Sequence, residues 1–256
     1  MDEQFKKLSN GKKIYFASDF HLGTQPKDQS LIREKKIIRW LNMIEKDAAA
    51  IFLVGDIFDF WFEYKKAIPK GFIRIQGKFA DLIDKGIPLI IFTGNHDMWM
   101  FDYFTSELGI PVYRHPRKYN INGKVFLIGH GDGLGPGDHF YKFLKKVFEN
   151  RFAQWAFRWL HPDIGMRIAH RWSRQSRVSH NDEAHQFKGE DEWLWKYCQQ
   201  VESQEHHDYY IFGHRHLPLE LAVGDQSTYL NLGEWVNYAK YAVFDGKKTR
   251  LEDFES

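Results

Sequence analysis

Cysteine is nearly absent from the 256-residue sequence, which contains only Cys198. One cysteine cannot form an internal disulfide, and this excludes a small secreted domain held together by disulfides. No segment reaches the roughly 18 consecutive apolar residues of a membrane-spanning helix, and the N-terminal segment lacks the apolar core of a secretory signal. These absences predict a cytoplasmic protein that does not span a membrane.

The sequence also lacks a large net charge, because its formal charge is only +2. It has no separate nucleic-acid-binding module either, and both features disfavour a nucleic-acid partner. The charge is nevertheless uneven: residues 140–180 contain nine Lys or Arg residues and two acidic residues, a net charge of +7. A basic segment of this kind attracts phosphate groups, nucleic acid or an anionic membrane surface.

Apolar runs alternate with helical patterns along the chain, which predicts an α/β fold. Helices are predicted at residues 31–46 and 72–85. Five apolar runs with strand character each end at a polar cluster: 12–18, 50–54, 87–93, 124–129 and 209–213. Four C-terminal segments predict an antiparallel run of strands, so the sheet should be mixed: 219–222, 228–232, 240–245 and 248–252.

Residues 138–196 interrupt this alternation and predict a helical insertion between two parts of one core, residues 1–137 and 197–256. One face of the insertion is aromatic and another is basic, at helical spacings: Phe148, Phe152, Trp155 and Trp159, then Arg167, Arg171 and Arg174. Apolar stripes at helical spacing usually pack on a core. The alternative is that the aromatic face lines a substrate pocket.

The polar clusters contain the residue types that bind metals. Asp19 and His21 follow the first predicted strand at alternate positions, where an extended backbone would point both to one side. Four further clusters follow later strands: 55–59 (G-D-I-F-D), 94–97 (G-N-H-D), 129–132 (G-H-G-D) and 213–216 (G-H-R-H). Each cluster alone is compatible with a turn or a helix cap. Together they predict a site for two divalent cations.

The order D-x-H, G-D-x-x-D, G-N-H-D, G-H, G-H-x-H resembles the calcineurin-like metallophosphoesterase superfamily from Asp19 to His216. The resemblance implies a four-layer sandwich of mixed β-sheets flanked by helices, with the insertion as a substrate cap. It also implies two sets of metal ligands that share Asp56: Asp19, His21, Asp56 and His216 in one, and Asp56, Asn95, His130 and His214 in the other. These nitrogen and oxygen ligands suit Mn²⁺, Fe or Zn²⁺ better than Mg²⁺ or Ca²⁺, and the resemblance favours Mn²⁺.

The resemblance further implies a mechanism in which a hydroxide, formed from water by the two metals, attacks phosphorus. His96 would stabilise the transition state or protonate the leaving oxygen, and Asp97 would orient His96.

Within the superfamily the sequence is similar to the UDP-2,3-diacylglucosamine diphosphatases of lipid A synthesis, in segments 55–61, 130–138, 169–177 and 232–235. These enzymes hydrolyse a UDP-linked lipid to UMP and 2,3-diacylglucosamine 1-phosphate (lipid X). The net charge of +7 in residues 140–180 and the aromatic residues of the insertion predict peripheral contact with the cytoplasmic face of the inner membrane, and no obligate protein partner is evident. The likeness implies five substrate-binding residues: Asn95, His96, Asp138, Ser176 and Arg177. One departure is His96, where many of these diphosphatases have Arg in a G-N-R-D motif.

Three alternatives remain at this stage. The chain could be a phosphodiesterase or nucleotide pyrophosphatase for a soluble substrate, or a nuclease that uses its basic segment. It could also be a catalytically silent scaffold. The scaffold is disfavoured because every expected metal ligand is present, and a complete charged site is costly to fold without metal.

Overall fold

The computed structural model describes residues 5, 7–137, 139–169 and 186–255. The described strands are β1 (Lys13–Ala17), β2 (Ala48–Val54), β3 (Leu89–Phe92), β4 (Val112–Tyr113), β5 (Arg117–Ile121), β6 (Lys124–Ile128), β7 (Tyr209–Phe212), β8 (Pro218–Val223), β9 (Ser227–Leu232), β10 (Lys240–Phe244) and β11 (Thr249–Asp253). The described helices are α1 (Lys27–Ile44), α2 (Ile73–Asp84), α3 (Tyr103–Leu108), α4 (His139–Glu149), α5 (Arg151–Arg158), α6 (162–169) and α7 (Trp193–Glu202).

The strands form two mixed sheets. The first has the order β11-β10-β1-β2-β3-β4 and the second the order β5-β6-β7-β9-β8. Strands β1 to β4 run parallel to one another, and so do β6, β7 and β9. Strand β10 pairs antiparallel with β1 and with β11, and strands β5 and β8 pair antiparallel with β6 and β9. The predicted α/β class with mixed sheets is confirmed.

The layers follow from strands that are apolar on both faces. In β1, Phe16 lies between the two sheets, where its ring stacks on Phe52 at 5.2 Å and on Phe126 at 5.9 Å. Its neighbour Ala17 points to the opposite face, which α1, α2 and α3 cover. Helix α7 covers the outer face of the second sheet with Leu194 and other side chains. The result is the expected four-layer sandwich.

Two features of the prediction were wrong or incomplete. The four C-terminal strands do not form one antiparallel run, because β8 and β9 belong to the second sheet whereas β10 and β11 belong to the first. Between β9 and β10 the chain crosses from one sheet to the other through Gly233, whose φ is +70°. Strand β5 was missed because it is an edge strand with only two buried positions, Tyr119 and Ile121.

The described part of the insertion is largely helical, as predicted, but its aromatic stripe is not continuous. Asn150 ends α4 and caps α5, since its side chain accepts hydrogen bonds from the amides of Phe152 and Ala153. Phe148 therefore packs on the core, 5.4 Å from Trp99. The packing interpretation fails for the other three rings, which are largely exposed: Phe152 (73%), Trp155 (54%) and Trp159 (75%).

Helix α7 spans the predicted boundary after residue 196, and its buried residues pack on the second sheet. None of the described helices combines the length and apolar character needed to cross a lipid bilayer.

Candidate metal centre

The predicted ligands lie on loops at the carboxyl ends of five strands. The loops after β1, β2 and β3 come from neighbouring strands of the first sheet, and those after β6 and β7 come from neighbouring strands of the second. The stacked sheets therefore bring ligands from distant parts of the sequence to one edge, which is where α/β sheets place their sites.

The first predicted ligand set is brought together. Ligand atoms of Asp19, His21, Asp56 and His216 all lie within 4.8 Å of one another. The Nε2 atom of His216 is 3.1 Å from Asp19 Oδ1 and 3.1 Å from His21 Nε2. Two imidazole nitrogens and a carboxylate oxygen thus converge on one point.

The second predicted set converges beside the first. Asn95 Oδ1 is 3.0 Å from His214 Nδ1 and 3.3 Å from His130 Nε2. His130 Nε2 is in turn 3.4 Å from Asp56 Oδ2, the same oxygen that lies 3.9 Å from His21 Nε2. Asp56 therefore stands between the two sets, where a shared ligand must be.

The backbone at these ligands is left-handed rather than extended. The φ angles are positive at five of the seven predicted ligands: Asp19 (55°), His21 (45°), Asp56 (53°), His214 (68°) and His216 (53°). Non-glycine residues rarely adopt this region, and such outliers concentrate at functional sites. The expectation of an extended D-x-H segment was wrong, because Asp19 and His21 both lie in the left-handed region.

Glycine precedes several ligands because no larger residue fits. A Cβ atom on Gly94 would lie 2.2 Å from Asp56 Oδ1 and 2.7 Å from His130 Nε2. A Cβ atom on Gly55 would lie 2.3 Å from His130 Nδ1, and one on Gly213 would lie 2.5 Å from Asp19 Oδ2. The recurring G-D, G-N and G-H pairs are thus a steric requirement of ligands packed against the main chain.

Hydrogen bonds outside the cluster fix which imidazole nitrogen is available to a cation. His130 Nδ1 lies 2.8 Å from the carbonyl oxygen of Val54. A carbonyl can only accept, so Nδ1 carries a proton, and Nε2, which lies beside Asp56 and Asn95, is the nitrogen left to bind a cation. Metal-binding histidines are commonly oriented in this way.

The charges of the cluster are strongly coupled. Burial opposes ionisation of Asp19 and Asp56, but the adjacent imidazoles outweigh it and hold the pKa of both carboxyl groups below their usual range. Burial likewise disfavours the charged form of His130, but Asp56 outweighs it and raises the pKa of His130 to about 10. Burial and the charge of His130 together lower the pKa of His214 to about 3. In the absence of metal, positive charge on protonated imidazoles offsets the negative charge of the two carboxylates, as bound cations would.

The donor atoms fit a pair of divalent cations. Asp19 Oδ1 and Asp56 Oδ2 are buried and, within the described part of the chain, have only imidazole nitrogens near them and no well-aligned hydrogen bond, which is costly for a carboxylate oxygen unless a cation satisfies it. Each set combines carboxylate or amide oxygens with imidazole nitrogens and contains no thiolate, the donor chemistry that Mn²⁺, Fe and Zn²⁺ accept.

His96 and Asp97 flank the cluster in different ways. Asp97 is buried and accepts hydrogen bonds from the amides of Gly94 (2.8 Å) and Ile57 (2.8 Å), so it holds two ligand loops together. The orientation of His96 by Asp97 stays a prediction. The ring of His96 also contacts Asp59: its Nδ1 lies 3.0 Å from the Asp59 carbonyl oxygen and 3.8 Å from Asp59 Oδ1.

Asp59 was quoted in the sequence motif but received no role. Its Oδ1 atom also lies 3.9 Å from His21 Nδ1, and ligand atoms of His21, Asp59 and His96 lie within 4.8 Å of one another. The spacing of Asp56 and Asp59 in G-D-x-x-D is the signal that could have identified it, because a tight turn after β2 returns both carboxylates to the site. Asp138, Ser176, Arg177, Arg171 and Arg174 lie outside the described residues.

Comparison with known proteins agrees with this geometry. The family model described as calcineurin-like phosphoesterase matches residues 12–218, a span that contains all the predicted ligands. The chain belongs to this family. Calcineurin-like phosphoesterases act with divalent metals, and the chain is accordingly a metal-dependent hydrolase.

Three relatives of this calcineurin-like phosphoesterase carry the name UDP-2,3-diacylglucosamine hydrolase. The protein from Porphyromonas gingivalis is 37% identical over 95% of this chain and 98% of its own length. That from Histophilus somni is 26% identical over 88% and 92% of the two chains, and that from Aeromonas hydrophila is 25% identical over 93% and 96%. The similarity spans both the core and the insertion.

We predict that Gly94→Ala abolishes metal binding without unfolding the chain. The added methyl group would occupy space between Asp56 and His130, whereas Gly77→Ala in α2 meets nothing within 4 Å and is a matched control. Calorimetric titration of metal-free protein with Mn²⁺ should show loss of binding for Gly94→Ala and unchanged binding for Gly77→Ala. Equal binding by both variants would contradict the packing described above.

We predict that His96→Asn lowers kcat by about 10²–10⁴-fold, the usual contribution of a positioned acid or base, while two Mn²⁺ still bind. His96 belongs to neither predicted ligand set, although its ring is 4.9 Å from that of His21. Steady-state kinetics and metal analysis of the same preparation check this. Loss of metal together with activity would make His96 a ligand instead.

Proposed function

We propose that the protein hydrolyses the pyrophosphate bond of UDP-2,3-diacylglucosamine to UMP and 2,3-diacylglucosamine 1-phosphate (lipid X), in lipid A synthesis. The observation that carries the proposal is the 37% identity to a UDP-2,3-diacylglucosamine hydrolase over nearly the full length of both chains. The buried ligand sets around Asp56 support the chemistry, and the exposed aromatic residues of the insertion support a lipid substrate.

Two divalent cations, one held by Asp19, His21, Asp56 and His216 and the other by Asp56, Asn95, His130 and His214, would lower the pKa of a water molecule and neutralise phosphoryl charge. We expect Mn²⁺, as the resemblance favours.

His96 would move a proton. Because its Nδ1 donates to the carbonyl oxygen of Asp59, Nε2 is the atom that would contact the phosphoryl or leaving-group oxygen. The main-chain amide of His96 donates to Asp56 Oδ1 over 2.8 Å, so the same residue also orients the shared carboxylate. Asp97 would act through the main chain by fixing the loops of Asp56 and Asn95.

We propose that the insertion caps the substrate site. A cavity of about 460 Å³, within the usual range for ligand pockets, lies between core and insertion. Gly94, Met98 and Phe101 line its core side, and Lys145 and Arg151 line the insertion side. Gly94 packs against Asp56 and His130, so one wall of the cavity lies beside the metal centre, and another carries basic side chains that can pair with phosphate. Asp138, Ser176 and Arg177 remain candidate contacts to the sugar phosphate.

We also propose peripheral contact with the anionic cytoplasmic face of the inner membrane. Exposed apolar side chains are concentrated on α4, α5 and the segment that follows: Phe140, Phe143, Phe152, Trp155, Trp159, Ile164 and Ile168. They lie within the segment of net charge +7. Apolar side chains with surrounding cations are what binding to an anionic interface requires.

The proposed activity predicts release of UMP from UDP-2,3-diacylglucosamine in the presence of Mn²⁺ and none with chelator. Asp56→Ala should be inactive, because it removes the carboxylate shared by both ligand sets. Asp225→Ala, in the exposed turn between β8 and β9, is the matched control and should retain full activity. Turnover of bis-p-nitrophenyl phosphate alone would preserve the chemistry but exclude this substrate, and no turnover of either would favour a scaffold.

The proposed membrane contact predicts that the protein sediments with phosphatidylglycerol vesicles at low salt. Replacing Trp155 and Trp159 by Ser should weaken this binding roughly tenfold, because two exposed rings are lost from the interface. Ile73→Ser removes an exposed apolar side chain from the core helix α2 and should have no effect. Indifference of the wild-type protein to vesicles would exclude the proposal.

A further inference from the structure

Two polar clusters, each containing a buried carboxylate, join the insertion to the loops that carry the predicted imidazole ligands. The α7 clamp consists of Glu192, Trp193 and Arg215, and the α4 clamp consists of Asp132, Tyr141 and Lys145. None of these six residues belongs to the predicted ligand sets. The clamps hold the two ends of the insertion, one just before α7 and one in α4.

The α7 clamp is a buried, two-bond ion pair. Arg215 Nε donates to Glu192 Oε1 over 2.6 Å and Nη2 donates to Glu192 Oε2 over 3.1 Å, and both side chains are almost fully buried. The guanidinium also lies 4.6 Å from the ring centre of Trp193 and donates to the carbonyl oxygen of Gln186. Two parallel hydrogen bonds between a guanidinium and a carboxylate fix the relative orientation of the two side chains as well as their separation.

The position of Arg215 in the chain makes this pair relevant to the metal centre. Arg215 is the residue between His214 and His216, and both neighbours have positive φ angles (68° and 53°). Its own amide donates to the carbonyl oxygen of Gly213 over 2.8 Å. The turn that presents the two imidazoles is therefore held from its far side by Glu192, a residue at the end of the insertion.

The α4 clamp acts on the other imidazole loop. Asp132, two residues after His130, accepts hydrogen bonds through Oδ2 from Tyr141 (2.8 Å) and Lys145 (2.7 Å). Lys145 also donates to the main-chain oxygen of Asp132 over 3.0 Å. Both donors lie in α4, so the first helix of the insertion is fastened to the loop that presents His130.

We propose that Glu192, Arg215, Asp132 and Lys145 are positioning residues through which the insertion sets the geometry of His130, His214 and His216. Cap and metal centre are then one coupled unit: metal binding stabilises the docked insertion, and the docked insertion raises affinity for metal. The coupling must be equal in both directions. The inference rests on the ligand sets of the proposed function but does not depend on which phosphoester is hydrolysed.

The test is Mn²⁺ affinity measured by titration calorimetry on metal-free protein. Glu192→Gln keeps the shape of the side chain but removes its charge, and should weaken Mn²⁺ binding by about 10–100-fold, the usual effect of residues that orient metal ligands. The matched control is Asp191→Asn, which disrupts the exposed pair of Asp191 with Lys196 at the adjacent position. That variant should bind Mn²⁺ within about twofold of wild type, since an exposed pair contributes little.

Hydrogen exchange provides the reciprocal readout. In the wild-type protein, Mn²⁺ should slow exchange of α4 and of residues 186–193, and Glu192→Gln should reduce that protection. A residue that only stabilises the fold would lower the unfolding temperature of the metal-free protein but leave Mn²⁺ affinity and metal-dependent protection unchanged. That result would overturn the proposal.

A second variant covers the case in which Glu192→Gln does not fold. Lys145→Met acts at the other clamp and leaves the Tyr141 bond to Asp132 in place, and should weaken Mn²⁺ binding about tenfold. Wild-type affinity in Lys145→Met would then overturn the proposal. His214→Ala distinguishes the ligand assignment from the positioning role of the clamps. Wild-type Mn²⁺ binding by this variant would refute the ligand assignment and this inference with it. Loss of binding in His214→Ala, but not in the folded clamp variants, refutes the positioning role alone.

Discussion

The close approach of two buried carboxylates, Asp19 and Asp56, to a group of imidazoles is the constraint on which the rest of the structure depends. Asp56 Oδ2 lies 3.4 Å from His130 Nε2 and 3.9 Å from His21 Nε2, and no residue that the structure describes gives it a well-aligned hydrogen bond. Such an arrangement is costly unless cations or protons balance it. Assembling this cluster requires a left-handed backbone at five of the ligands and glycines where a larger residue would clash with a ligand.

The sandwich architecture provides the rigidity that this cluster needs. Sheets packed through Phe16, Phe52 and Phe126 align the carboxyl ends of five strands, and the ligand loops are then tied to one another by Asp97 and by the carbonyl oxygen of Val54. The insertion contributes Lys145 and Arg151 to the cavity wall and carries exposed aromatic side chains. In the proposed function, the core performs the chemistry and the insertion takes part in substrate recognition.

The sequence predicted the strands that end in ligands because each combines a buried apolar run with a glycine and a polar cluster, three local signals that agree. It did not predict the division of β8 to β11 between two sheets, since pairing depends on tertiary packing rather than local pattern. The aromatic stripe was misread because one residue, Asn150, can end one helix and cap the next within an unbroken apolar period. The sequence did not predict that Asp97 accepts hydrogen bonds from the main-chain amides of Ile57 and Gly94, because such contacts join loops that are distant in sequence.

The claim that Asp56 is shared by two cations is tested most directly by electron paramagnetic resonance of the Mn²⁺-loaded protein. Ions bridged by one carboxylate lie about 3.5–4 Å apart and are magnetically coupled. The account predicts two Mn²⁺ per chain and the broadened spectrum of a coupled pair, with Asp56→Asn losing the coupling. A single bound Mn²⁺, or two ions with the six-line spectrum of isolated Mn²⁺, would contradict it.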